Sequence, residues 1–118
     1  MIELRTQIHA LLKSLTDHVY HINAPDQAVF PYIVYTMQTS DNGEFTELIT
    51  LDIDGWDNTA DETQLETMMQ TVNDGLNKKV ISMDDWAVVF YNESKLELTD
   101  EDPRIKRRKY SYSGKIFK

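Results

Sequence analysis

The chain has no cysteine, and only three prolines and four glycines among its 118 residues. Without a thiol there is no disulfide framework, no thiolate metal site and no cysteine nucleophile. The glycines, Gly43, Gly55, Gly75 and Gly114, are scattered, so no glycine-rich loop is available to cradle a phosphate. No segment approaches the ~20 apolar residues that a membrane span needs. The opening residues Met1-Ile2-Glu3-Leu4-Arg5 carry no apolar signal core, so the protein is expected to remain in the cytosol where it is made. Acid is also missing from one place. All 20 Asp/Glu, and only five Lys/Arg, lie between Met1 and Pro103, whereas residues 104 to 118 hold seven Lys/Arg and no acid.

What is present describes an ordinary folded domain. An apolar content of 41% and a charged content of 27% fit a single globule of this length. The net charge of −8 argues against docking the whole surface on nucleic acid. Only the run Ile105-Lys106-Arg107-Arg108-Lys109-Tyr110 resembles a phosphate-binding segment, and its period-2 alternation points instead to a strand with one wet face. An acidic body with one basic edge has the charge arrangement for attracting a copy of itself. The same charges could equally neutralise one another across neighbouring strands of one sheet, at ~0.2–1 kcal/mol per pair.

Leu4, Ile8, Leu11, Leu12 and Leu15 recur at helical spacing and predict an amphipathic helix over residues 2 to 15. Residues 18 to 30 read as an irregular connection with a short edge strand and a turn. Tyr32 to Met37 is a β-branched and aromatic run placed just after Pro31, and Asn42-Gly43 marks a hairpin turn. The return strand, about Thr46 to Trp56, alternates Ile49, Leu51, Ile53 and Gly55 against Thr50, Asp52, Asp54 and Trp56. Thr59-Ala60-Asp61-Glu62 has the form of a capping box and opens a second helix with the stripe Leu65, Met68, Met69, Val72 and Leu76. A methionine stripe at this spacing is core, and no cofactor is read into it. A third strand runs from Trp86 toward Leu98 and a fourth from residue 104 to 117. In the fourth, Tyr110, Tyr112, Gly114 and Ile116 take one face, and Arg107, Lys109, Ser111, Ser113 and Lys115 the other. The expected fold is α+β: an antiparallel sheet of about four strands with two helices packed on one face, in the order α-β-β-α-β-β.

No catalytic arrangement is evident. His9, His18 and His21 sit on or just after the first helix and lack a catalytic context, so a structural or surface role is expected. Asp52 to Asp57 followed by Asp61-Glu62 begins like a calcium loop, but Trp56 falls at the fifth position and Asp57 where the sixth requires glycine. The chain is read as a non-enzyme without cofactor or metal. Its outward charges, Asp52 and Asp54 on the second strand and Arg107, Lys109 and Lys115 on the fourth, meet within one chain or between chains according to the strand order.

Taken in order, Ala24-Pro25-Asp26, Phe30-Pro31-Tyr32-Ile33-Val34-Tyr35, Leu51-Asp52-Ile53-Asp54-Gly55-Trp56-Asp57, the Leu65 to Leu76 helix and Asp102 to Tyr110 form a pattern. It resembles the small minor structural proteins of tailed bacteriophages and prophages, specifically the tail-completion (tail-terminator, head–tail joining) group. The resemblance implies a non-enzymatic subunit that oligomerises, usually as a hexameric ring, at the head-proximal end of the tail tube. Such a ring contacts the tail-tube protein and the head connector. Its place would be the virion, after assembly in the host cytoplasm. Family interfaces built from strand edges and loops would map onto the basic fourth strand and the loop around Asp41 to Glu44. DNA would pass through the ring without specific binding, and no membrane is involved. Alternative readings are a head-closure or minor capsid protein on the capsid side, or a nucleic-acid-binding module using the basic last strand.

Overall fold

The computed structural model describes residues 2–41 and 47–117. Along the chain lie α1 (Ile2–Leu15), β1 (Val19–His21), β2 (Tyr32–Asp41), β3 (Glu47–Asp57), α2 (Thr63–Leu76), β4 (Val80–Ser82), β5 (Ala87–Thr99) and β6 (Lys106–Phe117). The strands form one six-stranded mixed sheet in the order β1-β2-β3-β6-β5-β4. The fold is α+β with two helices, as expected, but the sheet has six strands and is not wholly antiparallel. The three-residue β1, at the sheet margin, is the short edge strand expected within residues 18 to 30, whereas the three-residue β4 is additional and too short to show a period of its own. β1 pairs parallel to β2, and all other neighbours are antiparallel. The Asn42-Gly43 turn lies outside the described residues.

The alternation anticipated for the long strands is what divides the two faces. Ile33, Tyr35, Ile49, Leu51, Ile53, Val88, Phe90 and Tyr112 are buried toward the helices and join Leu4, Ile8 and Leu12 of α1 and Leu65, Met69, Val72 and Leu76 of α2 in one core. Leu11 and Leu15 of the predicted stripe are only partly buried against it. Two polar contacts lie inside this core region. Tyr112 donates to Asn73 Oδ1 on α2 at 2.7 Å, and burial pushes the Tyr112 hydroxyl well above its ordinary pKa, helped by Tyr110 and Asp74. His9 Nδ1 and Tyr35 Oη share a hydrogen bond of 2.9 Å, and the His21 ring lies tilted by 30° against Tyr35 at 4.8 Å.

The capping box does not form. The residue preceding α2 is Glu62, which makes no side-chain cap bond. Instead Asp61 Oδ1 accepts from the Thr63 N–H at 2.9 Å and its hydroxyl at 2.7 Å, and Asp57 Oδ1 accepts from the Asn58 N–H at 2.8 Å and the Thr59 hydroxyl at 3.1 Å. Aspartates folded back onto the following backbone out-compete Thr59 as the cap, because a carboxylate is the stronger acceptor. At the far end of α2, Lys78 takes a left-handed backbone (φ 64°), and its N–H donates to the Phe90 carbonyl at 2.7 Å, delivering the chain to β4.

Close packing relies on two strand glycines. A Cβ at Gly55 would meet Met69 Sδ at 2.5 Å and Leu65 at 3.2 Å, so the bare backbone lets α2 lie on β3. A Cβ at Gly114 would meet the Phe90 ring at 2.9 Å, Val88 at 3.0 Å and Ile49 at 3.2 Å. A ring and two β-branched side chains have little room to yield. Gly114→Ala is expected to lower stability by about 1–3 kcal/mol through overpacking, read as a drop in urea midpoint at unchanged m-value.

Candidate subunit interface

The strand order decides where the charges meet. β6 is interior, paired with β3 on one side and β5 on the other, so the basic strand offers a face but no free edge. Its outward cations therefore meet the outward acids of β3 inside one chain. Arg107 donates from Nη2 to Asp54 Oδ1 at 3.0 Å, and Lys109 Nζ lies 3.8 Å from Asp52 Oδ2. The register sets Arg107 opposite Trp56 and Lys109 opposite Asp54, so both pairs are diagonal. Long cationic side chains reach across that diagonal, as aspartate alone could not.

The helix-free face also carries aromatic residues. The Arg107 guanidinium sits 4.4 Å from the centre of the Trp56 ring, which stacks on Tyr32 at 6.2 Å. Phe30, preceding the cis Phe30–Pro31 bond, lies 5.3 Å from Tyr32, and Tyr20 of β1 meets Tyr32 edge-on at 5.9 Å. Arg107 thus uses its plane on Trp56 and its donors on Asp54, a double use that lysine does not offer.

Lys115 stands apart at the other end of β6. It is exposed, its ammonium lies 5.4 Å from the Tyr91 ring centre, and it has no carboxylate partner among the described residues. Leu48 and Phe117, both exposed, lie toward this end of the same face. Asp41 is the last residue of β2, paired in register with Glu47, and so belongs to this end too. Glu44 lies outside the described residues. The predicted set therefore divides into Asp52, Asp54, Arg107 and Lys109, which the fold brings together, and Lys115 with Asp41 at the opposite end.

One charged residue was missed. Arg108 points to the helix side, with its side chain only 7% exposed, and its Nη2 lies 3.2 Å from Glu62, 3.5 Å from Glu66 and 3.6 Å from Glu97. Its Nη1 donates to the Arg107 carbonyl at 3.1 Å. The signal was in the alternation itself: Tyr110, Tyr112 and Gly114 face inward, so Arg108 must too. Beside it a cleft of about 430 Å³ is lined by Glu62, Glu97, Asp100, Pro103, Lys106 and Arg108, among others. At the tip of the β5–β6 hairpin, Arg104 grips Asp102 at 2.7 Å and holds its carboxyl down at a pKa of about 2. His9 and His21 both lie against the Tyr35 ring, at 5.7 and 4.8 Å between ring centres.

The Asp54–Arg107 pair predicts a measurable coupling. In a double-mutant cycle of Asp54→Asn and Arg107→Gln, followed by urea unfolding, the interaction is expected to be about 0.5–1 kcal/mol, and weaker in high salt.

Neither a protein-family model nor a curated protein sequence matches this chain. Among solved structures, it is similar to a chain of the virion of a native gene transfer agent particle. The TM-score is 0.78 at 14% identity, and the match covers 96% of this chain and 93% of that one. At that identity the likeness establishes a shared α+β fold over nearly the whole of both chains.

Proposed function

We propose that this chain is a non-enzymatic structural subunit of a tailed phage-like virion, a tail-completion or terminator protein. It forms a ring on the head-proximal end of the tail tube and joins the tube to the head connector. The observation that carries this reading is the fold shared, end to end, with a chain of a gene transfer agent virion. The ordered sequence pattern from Ala24 to Tyr110 supports the tail-completion assignment within that class. The helix-free face, with Lys115 unpaired among the described residues, exposed Leu48 and Phe117, and the charged rows Asp52, Asp54, Arg107 and Lys109, supplies the surface for subunit and connector contacts. Asp41, which ends β2, belongs to the same end of the sheet as Lys115. The excess of acid over the rest of the chain suits a ring through which DNA passes without adhering.

A component on the capsid side of the same joint is the second reading, because the matched chain belongs to a whole virion rather than to an isolated tail. Deleting the protein separates the two. Loss of a terminator is expected to leave filled heads beside unattached tails of unregulated length in electron micrographs. Loss of a capsid-side component would leave free tails of uniform length. In purified protein, light scattering after size exclusion is expected to show a salt-sensitive multiple of the 13.8 kDa chain, with Lys115→Glu shifted toward monomer. Lys115 is the probe of choice, since its substitution breaks no ion pair among the described residues.

A further inference from the structure

We infer that copies of this chain join edge to edge, the outer edge of β2 in one copy pairing antiparallel with the outer edge of β5 in the next. This deepens the ring reading and rests on it, naming which strands carry the contact. β1 covers β2 only as far as Tyr35, whose carbonyl accepts from the Ile22 N–H at 3.0 Å. Ile22 then takes a left-handed backbone (φ 73°), a strained state for a β-branched residue, and turns the chain off the sheet. Among the described residues, no strand lies against the outer edge of β2 from Thr36 to Asp41.

The opposite margin has the same character. β4 covers β5 only through Val89, after which Lys78 N–H takes the Phe90 carbonyl and Asn77 Oδ1 takes the Asn92 N–H. Past the register shift between Asn92 and Ser94, β5 continues to Thr99 with no outer neighbour among the described residues. β2 and β5 run in opposite directions, because three antiparallel pairings separate them. A neighbour's β5 therefore meets β2 in the antiparallel sense, and since the two edges face opposite ways the contact is heterologous and repeats.

The side chains flanking the two edges are complementary. Beside the β2 edge a cleft of about 240 Å³ is lined by Ile2, Arg5, His21, Ile22, Thr36 and Met37. Ile2 and Ile22 are 73% and 57% exposed, and Arg5 has no ion pair among the described residues. The His21 pKa is lowered by burial first, then by Arg5 and His9, so Arg5 is the fixed charge of this cleft. The β5 edge offers the counterpart, exposed Glu93 and Glu97 with exposed Leu96, while Lys95 is turned onto the Tyr110 ring at 5.3 Å. Glu97 faces the helix side, as its register partner Arg108 does, which is the side α1 and Arg5 occupy. Free edges are normally blunted by proline or lysine, and the segment Thr36-Met37-Gln38-Thr39-Ser40-Asp41 contains neither. On an incoming β5, Glu97, whose side chain is largely exposed although it lies 3.6 Å from Arg108, faces the side of Arg5, while Leu96 lies on the open face beside the β2 edge.

The cysteine-free sequence makes the test direct. Gln38→Cys and Leu96→Cys place thiols on exposed side chains of the two edges, both on the helix-free face. Treated with a short bismaleimide, the double variant is expected to give a ladder of cross-linked species beyond the dimer, and each single variant only monomer. A cross-linked dimer from Gln38→Cys alone would mean that β2 pairs with β2 and would overturn the proposal. An oligomer by light scattering that yields no ladder would overturn the edge pairing and leave the ring reading standing. A chain that stays monomeric and uncross-linked at the highest attainable concentration would overturn the edge pairing too, while the deletion phenotype separately decides the ring.

Discussion

The structure depends on the position of β6 inside the sheet. A strand carrying Arg107, Arg108 and Lys109 in succession is a poor interior strand unless each charge is answered locally, and here the pleat sends them to different answers. Arg107 and Lys109 go to the open face and meet Asp54 and Asp52 of β3, while Arg108 goes to the core side and reaches Glu62 and Glu66 at the start of α2. The middle cation thereby ties the helix layer to the sheet, and the outer two tie β6 to β3. Arg108 is the costly member, with a side chain nearly excluded from water, but its partners are mostly exposed and keep their own hydration. That combination avoids the full desolvation penalty of a buried ion pair.

Both helices, the four long strands and the division of each strand into inner and outer faces were legible because they follow from period alone. Ile49, Leu51, Ile53 and Gly55 are inward, and Tyr112 and Gly114 are too. A short edge strand was read within residues 18 to 30, where β1 lies, but the three-residue β4 was beyond reach of a period-2 test: Val80-Ile81-Ser82 shows one buried residue between two exposed ones, which many turns also do. The parallel β1 is followed at once by a left-handed Ile22, a conformation that its β-branched side chain argues against. The capping box failed because Asp57 and Asp61 offered better acceptors than Thr59 within the same few residues.

The charge partition between the body and the last strand was visible, and its meaning was not, since that required knowing which strand lies beside β3. With β6 there, four of the seven cations of residues 104 to 118 find acids within the same molecule, and among the described residues the charges left for contact include Lys115 on the sheet and Arg5 off it. The candidate contact surfaces accordingly move from the basic strand itself to the sheet margins and the far end of the open face. Sequence carries the identity of the charges; strand order carries their availability.

The sixth strand along the chain is also the one on which the sheet closes. Until residues 106 to 117 are in place, β1-β2-β3 and β5-β4 are separate pieces, each with a bare edge where β6 belongs. Pairing of β3 with β6 joins residues 49 to 65 positions apart in sequence, so the loop that must close is long and slow to find its ends. A chain emerging from the ribosome thus holds two incomplete sheets until its last strand appears, and a nascent chain stalled before that point presents four strand edges to its neighbours instead of two.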